Sequence, residues 1–116
     1  MTPPTKVLYF DRTPGEPFRP GWQRRLLYTG SLMTVVLDID NGPWSAPDPF
    51  HSHPHEQTTY VAEGEVLLLS EGEEPKRLRA GDVVAIASGL PHAIQLLSVR
   101  ARLVDSFTPI REDFLK

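Results

Sequence analysis

The sequence predicts an all-β protein built as a single jelly-roll barrel. Short apolar runs alternate with polar residues and are divided by glycine, proline and aspartate. No long apolar stripe recurs with the period of a helix. The chain has 116 residues, of which 40% are hydrophobic, enough for one domain with its own core. About eight to ten short strands in this length are typical of a jelly roll.

The candidate strands follow one another closely along the chain. In order, they cover residues 7–10, 24–29, 32–39, 57–62, 65–70, 77–79, 83–87, 93–97 and 99–108. Gly30-Ser31 predicts a tight turn between two strands, and Glu63-Gly64 predicts a two-residue hairpin. The Pro-rich stretch 41–50 predicts a loop, in which Trp44 and Phe50 either stack on a ligand ring or, as we expect, pin the loop.

The two ends of the chain flank the predicted barrel. The barrel is expected over about residues 30–107, after a Pro-rich N-terminal arm over residues 1–20. After Pro109, residues 109–116 predict one helical turn. The strand at residues 7–10 could add to the sheet edge of a second copy, which predicts a homodimer.

Charge and composition narrow the possible partners and compartments. The net charge is −3 and no dense basic block is present, so a nucleic-acid partner is not expected. The apolar runs are too short to cross a membrane, and the N-terminal residues lack the apolar stretch of a signal peptide. There are no cysteines for disulfides or thiolate ligands. These features predict a cytoplasmic, single-domain protein.

The histidines are the most informative residues in the sequence. Three of the four, His51, His53 and His55, lie within five residues of one another, and His92 follows a proline turn. Side chains two residues apart on an extended segment share a face, so His51 and His53 can reach one ion. Imidazole nitrogen with the amide oxygen of Gln57 suits one divalent Zn, Fe, Ni, Co or Mn ion. The pattern therefore predicts a transition-metal site.

Two short motifs lie between residues 51 and 92. The first combines an H-x-H pair, an oxygen ligand and a glycine; the second combines two glycines and a histidine. Here the matching residues are His51, His53, Gln57 and Gly64, then Gly81, Gly89 and His92. The chain therefore resembles the cupins over about residues 30–107. It departs from them at Gln57, where glutamate is usual, and at Ala87, where the second motif has proline.

The glutamine has a chemical consequence. Three neutral imidazoles and a neutral amide leave the full double charge on the ion. Such an ion is a stronger Lewis acid than one that also binds a carboxylate. Glu56 is a rival ligand, but it faces away from Gln57 on an extended strand, and the spacing to Gly64 favours Gln57. His55 is expected either at the mouth of the site or as an ordinary exposed histidine.

The last predicted strand places a carboxylate among apolar residues. Alternation puts Asp105 on the face that also carries Leu103 and Phe107. A carboxylate directed into a barrel needs a partner or a purpose. With Arg111, these residues would form an acid/base group, an apolar wall and a carboxylate clamp. Alternatively, Asp105 pairs with Arg111 or another arginine to close the barrel end, and Phe107 is core.

Two segments, HSHPHEQ at 51–57 and DSFTPIREDFL at 105–115, resemble the pectin-degradation cupins, which linearise unsaturated uronates. The resemblance implies a reaction on an anionic sugar, in which a 4,5-unsaturated monouronate released by a polysaccharide lyase becomes a linear 4-deoxy keto sugar. It implies a metal that acts as a Lewis acid without redox change. The implied metal ligands are His51, His53, Gln57 and His92, and the implied catalytic and substrate-positioning residues are Asp105, Phe107 and Arg111.

Two other functions remain open at this point. A three-histidine site with an open position also suits oxygen activation, which would make the protein a metal-dependent dioxygenase. A barrel pocket can also serve as a non-catalytic site for a sugar or another small ligand, because fold alone does not set function.

Overall fold

The computed structural model describes residues 1–115 and arranges their strands in two antiparallel sheets. The strands are β1 (Glu16–Arg19), β2 (Trp22–Thr29), β3 (Leu32–Ile39), β4 (Glu56–Glu63), β5 (Glu65–Ser70), β6 (Lys76–Arg79), β7 (Val83–Ile86), β8 (His92–Leu96) and β9 (Ala101–Thr108). The larger sheet has the order β1-β2-β3-β9-β4-β7, and the smaller has the order β6-β5-β8. In this part of the chain, no helix is long and apolar enough to span a bilayer.

The core lies between the two sheets. Along β3, every second residue is buried, as the alternation in the sequence predicts. The main buried cluster combines Trp22, Leu37, Ile39, Val61, Ala101 and Leu103 of the larger sheet with Val66 and Leu96 of the smaller. Apolar faces of both sheets are therefore removed from water against each other, which stabilises a sandwich. The predicted all-β jelly roll is confirmed.

One of the two predicted turns joins paired strands and the other does not. β2 pairs with β3 across Gly30-Ser31, as predicted. The hairpin predicted at Glu63-Gly64 is wrong, since β4 pairs with β7 and β9, whereas β5 pairs with β6 and β8. The chain passes from one sheet to the other at Gly64. Two alternating strands joined by a short turn can bury their apolar faces either as a hairpin in one sheet or as strands of two facing sheets. The local sequence pattern therefore does not distinguish a hairpin from a crossing between sheets.

Gly64 tolerates no side chain at this crossing. Its φ is +84°, and a Cβ atom there would clash with the carbonyl oxygen of Arg100. We expect Gly64→Ala to lower the free energy of unfolding by about 3 kcal/mol. Gly72 is the matched control, because its φ is +77° but a Cβ would meet open space. Gly72→Ala should lower the free energy of unfolding by only about 1 kcal/mol. Equal losses in urea unfolding would contradict the clash at Gly64.

The first part of the N-terminal arm is held by side-chain contacts, whereas its end, β1, pairs with β2. The strand predicted at residues 7–10 is wrong, since the first strand is Glu16–Arg19 and Phe10 begins a short 3₁₀ helix, Phe10–Arg12. The guanidinium carbons of Arg25 and Arg102 lie 4.0 and 4.4 Å from the centroid of the Phe10 ring. The apolar residues of the arm thus serve side-chain contacts. The strand at residues 7–10, which supported the predicted homodimer, is therefore absent, and the homodimer stays a prediction.

The long loop and the C-terminal turn form as predicted. Trp44 pins the loop: its ring stacks on Trp22 with centroids 5.8 Å apart, and its backbone N–H donates to the Leu96 carbonyl. The C-terminal turn is a 3₁₀ helix, Glu112–Leu115, and Lys116 lies outside the described residues. This turn places Phe114 edge-on against Phe107 of β9, at 6.0 Å between ring centroids.

Candidate metal centre

Three of the histidines expected at the metal site lie together. His51 and His92 are joined by two backbone hydrogen bonds of 3.0 and 2.9 Å, which hold the segment before β4 against the first residue of β8. His53 follows on the same segment as His51. One ring nitrogen from each of the three lies within 4.8 Å of the others. Neutral imidazoles in this arrangement can share a single divalent ion.

Backbone carbonyls orient two of these rings. Nδ1 of His53 lies 3.0 Å from the carbonyl oxygen of His55, and Nδ1 of His92 lies 2.8 Å from that of Leu90. A ring nitrogen that faces a carbonyl carries the proton, so Nε2 keeps the lone pair that a metal needs. Nε2 of His53 is buried and has no hydrogen-bond partner among residues 1–115. These rings therefore fit a metal ion.

Burial keeps the rings in the form that binds a metal. Desolvation is the largest cause that lowers the pKa of both His51 and His53, and the neighbouring charge of His92 lowers the pKa of both further. Each imidazole is therefore more strongly neutral at pH 7 than a solvated histidine would be. Because a proton and a metal compete for the same lone pair, this favours metal binding.

Gln57 and Glu56, the rival candidates for the fourth ligand, lie on opposite faces of β4. Gln57 is half-buried and lines a cavity beside His51 and His92, whereas Glu56 is exposed. The Gln57 amide nitrogen donates a hydrogen bond of 2.9 Å to the hydroxyl of Thr59. That bond leaves the amide oxygen as the atom available to a cation.

His55 is buried, which corrects both of the positions expected for it. Its ring stacks on that of His53 at a centroid distance of 3.9 Å and meets the edge of Phe107 at 5.2 Å. Desolvation, followed by the charge of His53, lowers its pKa to about 4. Only 6% of its surface is exposed, so it acts as an uncharged aromatic ring that packs against a metal-binding histidine.

A cavity of about 350 Å³ lies inside the sandwich and reaches the histidines. Asp105 of β9 lines it, on the face that the sequence predicts. Burial raises the pKa of Asp105 to about 6; a hydrogen bond from Thr59, the charge of Arg111 and the amide of Gln57 oppose this by smaller amounts. The Thr59 hydroxyl donates to Oδ1 of Asp105 at 2.6 Å. The accessible part of this carboxylate faces the cavity.

Arg111 reaches the same cavity from beyond the last strand. Its guanidinium carbon lies 5.8 Å from the centroid of the Phe107 ring and 4.1 Å from that of Phe114. It pairs with the exposed Asp113 at 3.0 Å, and in the described part of the chain it forms no ion pair with Asp105. Its Nε is buried without a hydrogen-bond partner among these residues. The Asp105–Arg111 pair offered as one alternative therefore does not form. Phe107 is 2% exposed, so it is a core residue as well as part of the cavity wall.

Comparison with known proteins identifies the family. Residues 36–107 match the cupin domain, which covers more than half of the chain. The chain is a cupin. It is 33% identical over 107 residues to the pectin degradation protein KdgF of Dickeya dadantii (strain 3937), an alignment that covers 90% of this cupin and 94% of that protein.

Two solved structures extend the comparison. KdgF from Halomonas sp. superposes with a TM-score of 0.84 at 30% identity and covers 94% of this cupin and 99% of that chain. An RmlC-like cupin from Shewanella frigidimarina superposes with a TM-score of 0.83 at 31% identity, covering 96% of both chains. This cupin therefore shares its fold and nearly its whole length with the KdgF proteins.

The cavity is also lined by Thr59, Arg24 and Phe114, which the sequence patterns did not single out. Thr59 follows Gln57 by two residues on β4, and the period of a strand places both on one face, so this signal was present. Arg24 lines the cavity from β2, and Phe114 from the C-terminal turn. The Arg24 guanidinium carbon lies 4.3 Å from the centroid of the Phe114 ring. Nothing in the local sequence of this cupin marks Arg24, which is brought to the site only by the fold.

Proposed function

We propose that this cupin is a metal-dependent enzyme that opens and ketonises 4,5-unsaturated monouronates, the products of polysaccharide lyases. The observation that carries the proposal is one cavity lined by Asp105, Arg111 and two of the three clustered histidines, His51 and His92. A cation site, an acid/base and an anion clamp are the groups that such a substrate requires. The near-full-length similarity to the KdgF pectin degradation proteins supports the uronate class.

The metal ligands in this proposal are His51, His53, His92 and the amide oxygen of Gln57. Imidazole and amide groups bind a metal in their neutral form, so a divalent ion held by these four side chains keeps its full charge. Bound there, the ion would supply Lewis acidity to hydroxyl or carbonyl oxygens of the substrate. Several first-row metals suit this ligand set, and metal analysis of the purified protein identifies the one it takes.

The side chains then divide the reaction between them. Arg111 binds the substrate carboxylate with its planar fork of donors. Asp105 takes the proton of the anomeric hydroxyl as the bond between the ring oxygen and the anomeric carbon breaks, and it then gives this proton to the former ring oxygen. This opens the ring to an aldehyde and an enol. A proton then adds to the neighbouring alkene carbon as the enol hydroxyl loses its own, which leaves a ketone. No atoms or electrons are gained, so the overall change is an isomerisation.

The environment of Asp105 suits this exchange of protons. Its pKa of about 6 makes it a stronger base than an ordinary aspartate while leaving it ionised at neutral pH. Phe107 and the apolar residues around it line the wall of the cavity. They limit the access of water and so strengthen the electrostatic contacts inside.

The test is a direct assay of the metal-loaded protein on an unsaturated monouronate. The absorbance of the enol ether and the dissolved oxygen are recorded together, beside metal-free protein and a protein-free blank. We expect loss of absorbance above the spontaneous rate with oxygen unchanged. Oxygen consumption would instead favour a dioxygenase. Tight binding without product would favour a ligand-binding protein.

Removing the proposed carboxylate clamp should weaken substrate binding more than it slows the chemistry. A charge-assisted hydrogen bond contributes about 1.5–3 kcal/mol, so Arg111→Ala should raise KM by roughly tenfold to a hundredfold. We expect kcat to fall less than KM rises, as measured by steady-state kinetics at saturating metal.

A second arginine provides the matched control. Arg77 is 64% exposed and pairs with Glu65 away from the cavity. Arg77→Ala should leave KM and kcat unchanged, because exposed ion pairs contribute little. A KM that does not change in Arg111→Ala would contradict the clamp.

A further inference from the structure

Thr59 links the proposed metal ligand Gln57 to the proposed catalytic carboxylate Asp105. It lies on β4 directly opposite Asp105 of β9, and only 6% of its surface is exposed. Its hydroxyl oxygen is 2.9 Å from the Gln57 amide nitrogen and 2.6 Å from Oδ1 of Asp105. One hydroxyl thus makes two hydrogen bonds to the groups on either side of it.

The direction of these bonds follows from the number of protons. A threonine hydroxyl carries one proton, and here it donates that proton to the carboxylate of Asp105. It can therefore only accept from Gln57. Of the two ends of an amide, only the NH₂ group donates, so the nitrogen of Gln57 must face Thr59 and its oxygen must face elsewhere.

We infer that Thr59 is a positioning residue that orients the Gln57 amide, so that its oxygen is presented to a metal ion, and that also holds Asp105 in place. Side chains that hydrogen-bond to metal ligands fix the orientation of those ligands in this way. The part concerning Asp105 rests on the proposed function, whereas the part concerning Gln57 does not depend on any substrate.

The same arrangement explains why an amide and not a carboxylate stands at position 57. A glutamate there has no proton to donate, so two carboxylates would compete for the single proton of Thr59. One of them would lose its hydrogen bond in a buried setting, at an energetic cost. Gln57 is therefore matched to Asp105 through Thr59.

The first experiment removes the hydroxyl with little change of shape. We expect Thr59→Val to weaken Zn²⁺ binding by about tenfold to a hundredfold, the usual effect of losing a partner of a metal ligand. The dissociation constant is measured by titrating metal-free protein with Zn²⁺ against a chelator. Thr59→Ser keeps the hydroxyl and should restore most of the affinity. Thr58→Val is the matched control, since Thr58 is exposed on the other face of β4, and it should bind Zn²⁺ like the wild type.

The second experiment measures the coupling between positions 57 and 59. In the wild-type background, Gln57→Glu makes two carboxylates compete for the hydroxyl proton of Thr59. In Thr59→Val this competition is absent, so Gln57→Glu should lower kcat by a larger factor in the wild-type background than in Thr59→Val. Equal factors in the two backgrounds would overturn the link to Asp105. Unchanged Zn²⁺ affinity in Thr59→Val would overturn the orientation of Gln57. If the wild type does not act on uronates, the Zn²⁺ titrations still decide whether Thr59 orients Gln57.

Discussion

Asp105→Asn should lower kcat on an unsaturated uronate by about a thousandfold, within the range that general acid–base groups contribute. Asparagine keeps the size of the side chain and can still accept the hydrogen bond from Thr59, but it cannot take up or release a proton. The substitution therefore removes proton transfer with little change of shape. The measurement is steady-state kinetics of the metal-loaded protein, together with its metal content.

The metal content decides how a loss of activity is read. Asp105 is not among the proposed ligands, so the variant should keep as much metal per chain as the wild type. If the variant lost its metal, Asp105 would have a structural role at the centre, and its assignment as the proton carrier would be wrong.

The same substitution should stabilise the metal-free fold at neutral pH. Because the pKa of Asp105 is raised from 3.8 to about 6, the wild type keeps its full stability below pH 3.8 and loses part of it as the pH rises through 6. The loss is on the order of 3 kcal/mol, since each pKa unit corresponds to about 1.4 kcal/mol. Asparagine is uncharged, so the variant does not undergo this loss of stability.

Urea unfolding of the metal-free proteins at several pH values checks this expectation. The difference between Asp105→Asn and the wild type should be small near pH 4 and largest above pH 7. A difference that does not change with pH would mean that Asp105 is not desolvated in the folded protein.

His53→Phe should abolish metal binding. It keeps an aromatic ring in the stack with the His55 ring but removes Nε2, the buried nitrogen that has no partner among residues 1–115. We expect metal bound after dialysis to fall below about a tenth of the wild-type amount, and enzymatic activity to fall with it. Metal analysis by mass spectrometry provides the measurement.

His55→Phe is the matched control for that experiment. It is the same substitution two residues away, in the other ring of the stack, and His55 is not one of the three clustered histidines. It should retain its metal. Its stability should be equal or higher, because the substitution also removes a buried nitrogen that lacks a partner among these residues. Loss of metal in both variants would mean that packing of the stack, and not coordination by His53, sets the affinity.

Local periodicity was enough to predict most of the strands and part of the site. The strand β3, with its alternating buried residues, lies where the pattern predicts, and so does the inward face of β9 that carries Asp105. The spacing of His51 and His53 predicts a shared ion because a strand repeats every two residues. Such predictions succeed because they need only the geometry of one segment.

Predictions about which segments pair were less successful. The composition of residues 7–10 suits a strand, but pairing needs a partner edge, and the arm instead places Phe10 against two arginines. Glu63-Gly64 has the residues of a hairpin turn, although it joins strands of different sheets. Local sequence sets the tendency to extend, whereas competition among all the strands of the barrel sets the pairing.

The sequence by itself determined the all-β fold and the residue types of the site: three histidines, a glutamine, an inward aspartate and a C-terminal arginine. Only the tertiary structure decided how they work together. Thr59 meets Asp105 across 46 residues of sequence, and Arg24 reaches the cavity beside Phe114, because β2, β4 and β9 lie in one sheet with a particular register. Register depends on contacts between distant segments, and no short stretch of sequence encodes it.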